Sequence, residues 1–270
     1  NCGFKCGFKL GRAISKKTRS FLTWCNMPDT DINKWSLHSI QHKDLLDSIL
    51  TKKKQIKLPK FKEQAMPEGE LIYTANKEHQ VYIDYLNRRG LAHNDYPFMV
   101  NPKAEGRQSL GIIIPYTYEN KVVGSTIRFM DDRNPKFIND QQQGYVFGTD
   151  LQKDDWEVVL VFEGIFDAIS MNGLALTHDT INDNQVAVIN KLGKRVIVVP
   201  DQDQTGLGIC ERALELGYDV SLPNWSEDIK DANDAVIKYG RLNTLLSIID
   251  SATNSKIKVE VMRNKIAKRI

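Results

Sequence analysis

Two short apolar runs, Trp156–Phe162 (WEVVLVF) and Arg195–Val199 (RVIVV), constrain this chain most, because each stops abruptly at acidic residues. Runs of this length rich in valine and isoleucine read as buried strands. Helical patterns follow them, at Phe166–Met171 and at Gly208–Leu216. Two further strands are predicted at 186–190 (VAVIN) and Tyr218–Leu222, and a further helix at Asp231–Tyr239. Strands alternating with helices imply a parallel sheet covered on its faces by helices. Ligands of such sheets gather beyond the C-terminal ends of the strands.

The preceding stretch has a different rhythm. A helix is predicted over Asn76–Arg89, with Gly90 as its stop. Leu110–Tyr116 and Val122–Phe129 are β-branched runs around Glu119-Asn120, the pattern of a hairpin. A polar loop, Asp131–Pro135, leads to Lys136-Phe137-Ile138. Residues 51–70, with a lysine run and two prolines and a glycine, have the composition of a linker. Before it, Ser39–Leu50 carries apolar residues at helical spacing. No run of about 18 apolar residues occurs, so no membrane partner is expected. No secretory signal is read at the N-terminus. Four scattered cysteines do not make a disulfide framework, so a reducing, cytoplasmic setting is expected.

Charge is unevenly distributed. Residues 1–62 hold 14 Lys/Arg against 4 Asp/Glu, and residues 251–270 hold 6 against 1. Residues 151–250 hold 8 against 17. Basic flanks attract phosphates, although mixed charge also serves solubility. The acidic centre contains two clusters at the predicted strand ends: Glu163 with Asp167, and Asp201 with Asp203. Either alone is an ordinary acidic turn. Together, after adjacent strands, they form a set of oxygen ligands whose mutual repulsion calls for Mg²⁺ or Mn²⁺. If strand geometry persists past Val199, Asp201 and Asp203 share one side.

VFEGIFDAIS followed by VIVVPDQDQTG resembles the Toprim domain shared by primases, topoisomerases and some nucleases. The resemblance implies that Glu163, Asp201 and Asp203 bind catalytic metal, with Asp167 at a frequent acidic position of the first motif. Ile229-Lys230-Asp231-Ala232-Asn233-Asp234 is similar to a KDAN-type signature of phage and bacterial primases, with Asp231 as its acidic and Lys230 as its basic member. Asp231 also suits a helix N-cap. The upstream GIIIP, Val123-Gly124, Arg128 and Lys136–Asn139 are similar to the basic subdomain of DNA primases. There Arg128, Arg133 and Lys136 would hold template or nucleotide phosphates. Asn1-Cys2-Gly3-Phe4 looks like the tail of a primase zinc ribbon. Cys2 and Cys6 alone do not make a site, and His38 and His42 better suit a solvated helix face, so zinc is not expected.

The expected architecture is therefore α/β. A Toprim parallel-sheet domain (151–250) follows a smaller mixed α+β basic subdomain (71–150). Ahead of these come an irregular N-terminal segment with the ribbon remnant (1–50) and the basic linker (51–70), and a basic tail (251–270) follows. The expected function is DNA primase activity: metal-dependent nucleotidyl transfer that builds RNA primers on single-stranded DNA from ribonucleoside triphosphates. The setting would be a bacterial cell, possibly phage-infected. No GxxxxGK[ST] loop occurs in the sequence, so a separate replicative helicase is the implied partner. The alternatives are a Toprim nuclease or topoisomerase fragment, and a DNA-binding module without catalysis.

Overall fold

The computed structural model describes residues 13–41, 57–105, 110–131, 133–178, 180–203 and 206–268. The chain divides into two compact units, Asn1–Ile56 and Lys57–Ile270. The cysteine pair Cys2/Cys6, His42, most of the expected helix Ser39–Leu50 and the lysine run at 52–54 lie outside the described residues.

The first unit contains α1 (Lys16–Trp24) and α2 (Asp29–Gln41). Ser15 caps α1 by accepting the Thr18 N–H. Asp29 and Asp31 sit in the first turn of α2, where carboxylates oppose the helix dipole. An Arg19–Asn33 hydrogen bond of 2.7 Å ties the two helices.

The second unit opens with an antiparallel sheet. Its strands are β1 (Glu70–Leu71), β2 (Met99–Val100), β3 (Gly111–Tyr118), β4 (Lys121–Phe129) and β5 (Phe137–Asp140), paired in chain order. Glu119 and Asn120 both take left-handed φ values, 53° and 61°, which suits a two-residue hairpin turn. The Asp150 carboxylate accepts both of their N–H groups. Helix α3 (Gln80–Arg88) packs Tyr82, Ile83, Tyr85 and Leu86 inward and stops at Gly90, whose φ of 66° a side chain would resist. The helix predicted over Asn76–Arg89 is thus present, its first turn being a 3₁₀ turn at Lys77–His79.

The parallel sheet comprises β6 (Val158–Phe162), β7 (Leu174–Ala175), β8 (Arg195–Val198) and β9 (Asp219–Val220), in the order β7-β6-β8-β9. Side-chain alternation sorts its two faces. Leu160, Phe162, Ile197 and Val199 join one core, with α4 (Ile165–Met171), α7 (Ala232–Tyr239) and α8 (Arg241–Ser251). Val159, Val161, Val196 and Val198 join the other, with α5 (Asp183–Lys191), α6 (Ile209–Glu215) and α9 (Lys256–Ala267). The first core also takes in Ile112, Ile114 and Tyr116 of β3 and the inner face of α3. One continuous apolar interior therefore locks the antiparallel sheet against the parallel one. At about 25 cal/mol per Å² of buried apolar surface, such a shared interior fixes their relation.

One expectation is corrected. Residues 186–190 are not a strand but lie in α5. Burial at 185, 186, 188 and 189 follows the helical period, and Asn182 and Gln185 form a reciprocal capping box ahead of it. The basic C-terminal segment is helical. It is α9, which buries Val259 and Ile266, two turns apart on one side.

Candidate active site

The sheet order places the first strand, β6, between β7 on one side and β8 on the other. The chain therefore leaves β6 in one direction to reach β7 and returns past it to reach β8. The crevice between the C-terminal ends of β6 and β8 is the topological switch point, where open α/β sheets bind ligands. Glu163 leaves β6 there, and Asp201 follows β8 there. The two meet: Glu163 Oε1 accepts the Asp201 backbone N–H at 3.2 Å.

The β8 strand ends at Val198, so the strand geometry expected to align Asp201 and Asp203 does not persist. An equivalent alternation is held by hydrogen bonds. Gln202 turns inward, its side chain donating to Pro223 O at 2.8 Å and its backbone N–H to Lys230 O at 2.7 Å. Asp201 and Asp203 are left partly exposed on either side of it. Asp203 Oδ1 accepts the Gly206 N–H at 2.9 Å. Gly206 is required by this packing. A Cβ on it would lie 2.3 Å from Asp201 O and 2.7 Å from Glu163 Oε1, closer than real Cβ atoms approach backbone.

The Gln202–Lys230 bond also draws in the third acidic element. Asp231 caps α7, accepting the Asp234 N–H at 2.7 Å. Beside it Asp167 is enclosed, only 5% exposed, and accepts the Asn233 N–H at 2.7 Å. Burial pushes the Asp167 carboxyl well above the usual carboxylate range, and the charges of Asp231 and Asp201 add to this. Burial pushes Asp201 up to about 8, and Glu163, Asp231, Asp203 and Asp234 reinforce the shift. Asp231 is raised as well, mainly by burial. These carboxylates thus share one electrostatic environment, and it is uncomfortable without a cation. Among the described residues, no three acidic, His or Cys side chains stand close enough to enclose an ion by themselves. Mg²⁺ is usually held by one or two carboxylates together with waters and substrate phosphates. The donor set, oxygen-only and mutually repelling, fits such an ion.

A cleft of about 300 Å³ opens over Glu163 and Asp201. Phe137 and Asn139 of β5 form its opposite wall, and Thr177 and His178, just past β7, close its side. Arg128 reaches this wall: its guanidinium stacks 4.6 Å from the Phe137 ring centre and its Nε donates to the Tyr85 hydroxyl at 2.9 Å. Arg133 and Lys136 do not line the cleft. Arg133 forms a two-pronged pair with Asp131, at 2.5 and 2.6 Å, and covers the Phe129 ring. Lys136 and Lys230 are exposed.

The sequence reading omitted several members of this site. Arg89, at the end of α3, lowers the carboxyl pKa values of both Asp167 and Asp231, and its carbonyl accepts from buried Asn233 Nδ2. An arginine at a helix C-terminus is an ordinary dipole complement, so nothing in the sequence singles it out. Thr177 has φ 60°, a left-handed conformation that costs a β-branched residue about 1–3 kcal/mol. No Gly or Asn marks that turn.

No family model matches the chain. The DNA primase of Clostridium acetobutylicum is 24% identical over 168 residues, covering 53% of this chain and 28% of that protein. The chain thus spans less than a third of that relative's length. Among solved structures, a DnaG primase catalytic domain bound to ssDNA aligns with a TM-score of 0.57 at 15% identity, over 73% of this chain and 79% of that one. A DnaG catalytic core aligns at 0.55 and 16% identity, over 73% and 86%. The E. coli primase catalytic core aligns at 0.53 and 18%, over 66% and 75%. The described residues include no helix long and apolar enough to cross a membrane. In fold, this chain is similar to the DnaG primase catalytic cores.

Proposed function

We propose that this chain synthesises RNA primers on single-stranded DNA by metal-dependent nucleotidyl transfer. The observation that carries this reading is the meeting of Glu163 and Asp201 at the switch point, beneath a cleft whose far wall presents Arg128 stacked on Phe137. The similarity to a DnaG catalytic domain bound to ssDNA supports the same template here. Glu163 and Asp201 would hold Mg²⁺ or Mn²⁺ in the cleft, with Asp203 and Asp231 beside them. When bound, the ion neutralises triphosphate charge and lowers the pKa of an attacking hydroxyl. Asp167, proposed from the motif as a further ligand, is enclosed beside them, where it accepts the Asn233 N–H and its carboxyl pKa is raised by burial.

The chain's own residues supply positioning. Arg128, with the exposed Lys136 and Lys230, would draw template and nucleotide phosphates toward the carboxylates. Arg133 would join them only by giving up Asp131, an exchange that a phosphate, itself a good two-pronged partner, permits. Lys57 and Lys60 add non-specific attraction for DNA ahead of the core. The substrates are ribonucleoside triphosphates, and a replicative helicase is the proposed partner in a bacterial or phage-infected cell.

Incubation with single-stranded template, ribonucleotides and Mg²⁺ tests the reading. New RNA, or RNA added to a preformed primer, is expected. Phosphodiester cleavage with no RNA product would favour the nuclease alternative. Replacing Arg128 by alanine should weaken single-stranded DNA binding and lower the slope of log affinity against log salt by about 1. A large fall in melting temperature with unchanged binding would mark Arg128 as structural, through Tyr85 and Phe137.

A further inference from the structure

Thr177 is the strained residue of this fold that lies against the cleft, and its conformation is over-determined by neighbours. Its N–H donates to Glu163 O at 3.0 Å. Its hydroxyl donates to Gln141 Oε1 and lies against Leu176 O, each at 2.6 Å. Leu176 is pinned in turn: its N–H donates to Phe162 O at 3.0 Å, and its carbonyl accepts from fully buried Gln185 Nε2 at 3.0 Å. Gln185 also reaches Tyr145 O in the segment that joins the two sheets. A left-handed β-branched residue held from this many directions is the pattern expected where strain serves a site. The next residue, His178, is exposed and lines the cleft with Glu163, Asp201, Phe137 and Asn139.

We propose that the Thr177-His178 turn is a phosphate-binding wall of the cleft, and that the His178 imidazole donates a hydrogen bond to the phosphate chain of a bound nucleoside triphosphate. The floor of the cleft is acidic and takes phosphate only through a cation. Phosphate oxygens facing away from the floor need N–H donors from the side walls, and an imidazole N–H on a fixed turn supplies one at little entropic cost. The Glu163 carbonyl accepts the Thr177 N–H, so the metal-side strand and the phosphate wall are joined directly. The inference rests on the nucleotide reading above, although its test does not require that primers be made.

The test compares wild type, His178→Ala and His178→Gln by calorimetric titration with a non-hydrolysable ribonucleoside triphosphate in Mg²⁺, and with the corresponding nucleoside lacking phosphates. Removing one charge-assisted donor should weaken triphosphate binding by about tenfold in His178→Ala. His178→Gln, which keeps an N–H donor, should recover most of that loss, and nucleoside binding should not change. In primer extension, KM for the nucleotide should rise while kcat changes little. Equal triphosphate affinity in wild type and His178→Ala would overturn the proposal, as would an equal loss for the nucleoside. If the wild-type chain binds triphosphate in a His178-dependent way yet makes no RNA, the phosphate wall stands and the primase reading falls.

Discussion

Asp201→Asn should abolish primer synthesis, by a hundredfold or more on the order of other lost transition-state contacts, while leaving the metal-free protein at least as heat-stable at pH 8 as wild type. The two halves of this expectation have one cause. Asp201 is pushed up to about 8 by burial and by Glu163, Asp231, Asp203 and Asp234, so its ionised form is held against repulsion. An amide of the same shape removes that repulsion and also removes an oxygen ligand. Residues that serve only the fold behave oppositely, losing stability first and activity as a consequence. Activity assays beside thermal melting in chelator check both halves. Full activity in Asp201→Asn, or a large fall in its metal-free melting temperature, contradicts the assignment.

A second expectation follows from the same carboxylates. An unfolded aspartate titrates near about 3.9, whereas Asp201 in the fold titrates at about 8 and Asp167 and Asp231 are shifted in the same direction. Between those values the folded state binds more protons than the unfolded state, so stability falls as pH rises. In chelator, the melting temperature should therefore decline from about pH 5.5 to 8.5. Mg²⁺ binds only the ionised form and should flatten or reverse the decline. A metal-free melting temperature that rises across this window would mean that the carboxylates are not crowded as described.

How much of this was legible in the sequence depended on how locally each feature is encoded. Strands β6 and β8 were readable because unbroken β-branched runs ending in acids have few other uses in a covered parallel sheet. The resemblance to Toprim proteins and primases, resting on the same segments, is matched by the fold of the DnaG cores. Strand β7 was not readable, because two residues, Leu174 and Ala175, carry no periodicity. Its absence from the reading let VAVIN pass for a strand, although Asn182 and Gln185 announced the helix that contains it. Site members set by tertiary contact stayed hidden. Arg89 and Asn233 meet across 144 positions of sequence. Thr177 is held in its left-handed conformation by neighbours such as Gln141, which its residue type does not announce. Burial, too, was beyond the motif: Asp167 is enclosed and bonded to the Asn233 N–H, which its position in the motif does not announce.

The central claim is that acidic side chains at neighbouring strand ends share a divalent cation. Titrating Mn²⁺ into the wild-type chain and into Glu163→Gln, and following bound ion by its paramagnetic signal, tests it most directly. Saturable binding to wild type is expected, with affinity weaker by about tenfold or more in the variant. Equal affinity in both proteins, or no binding to wild type even with nucleoside triphosphate present, would contradict it.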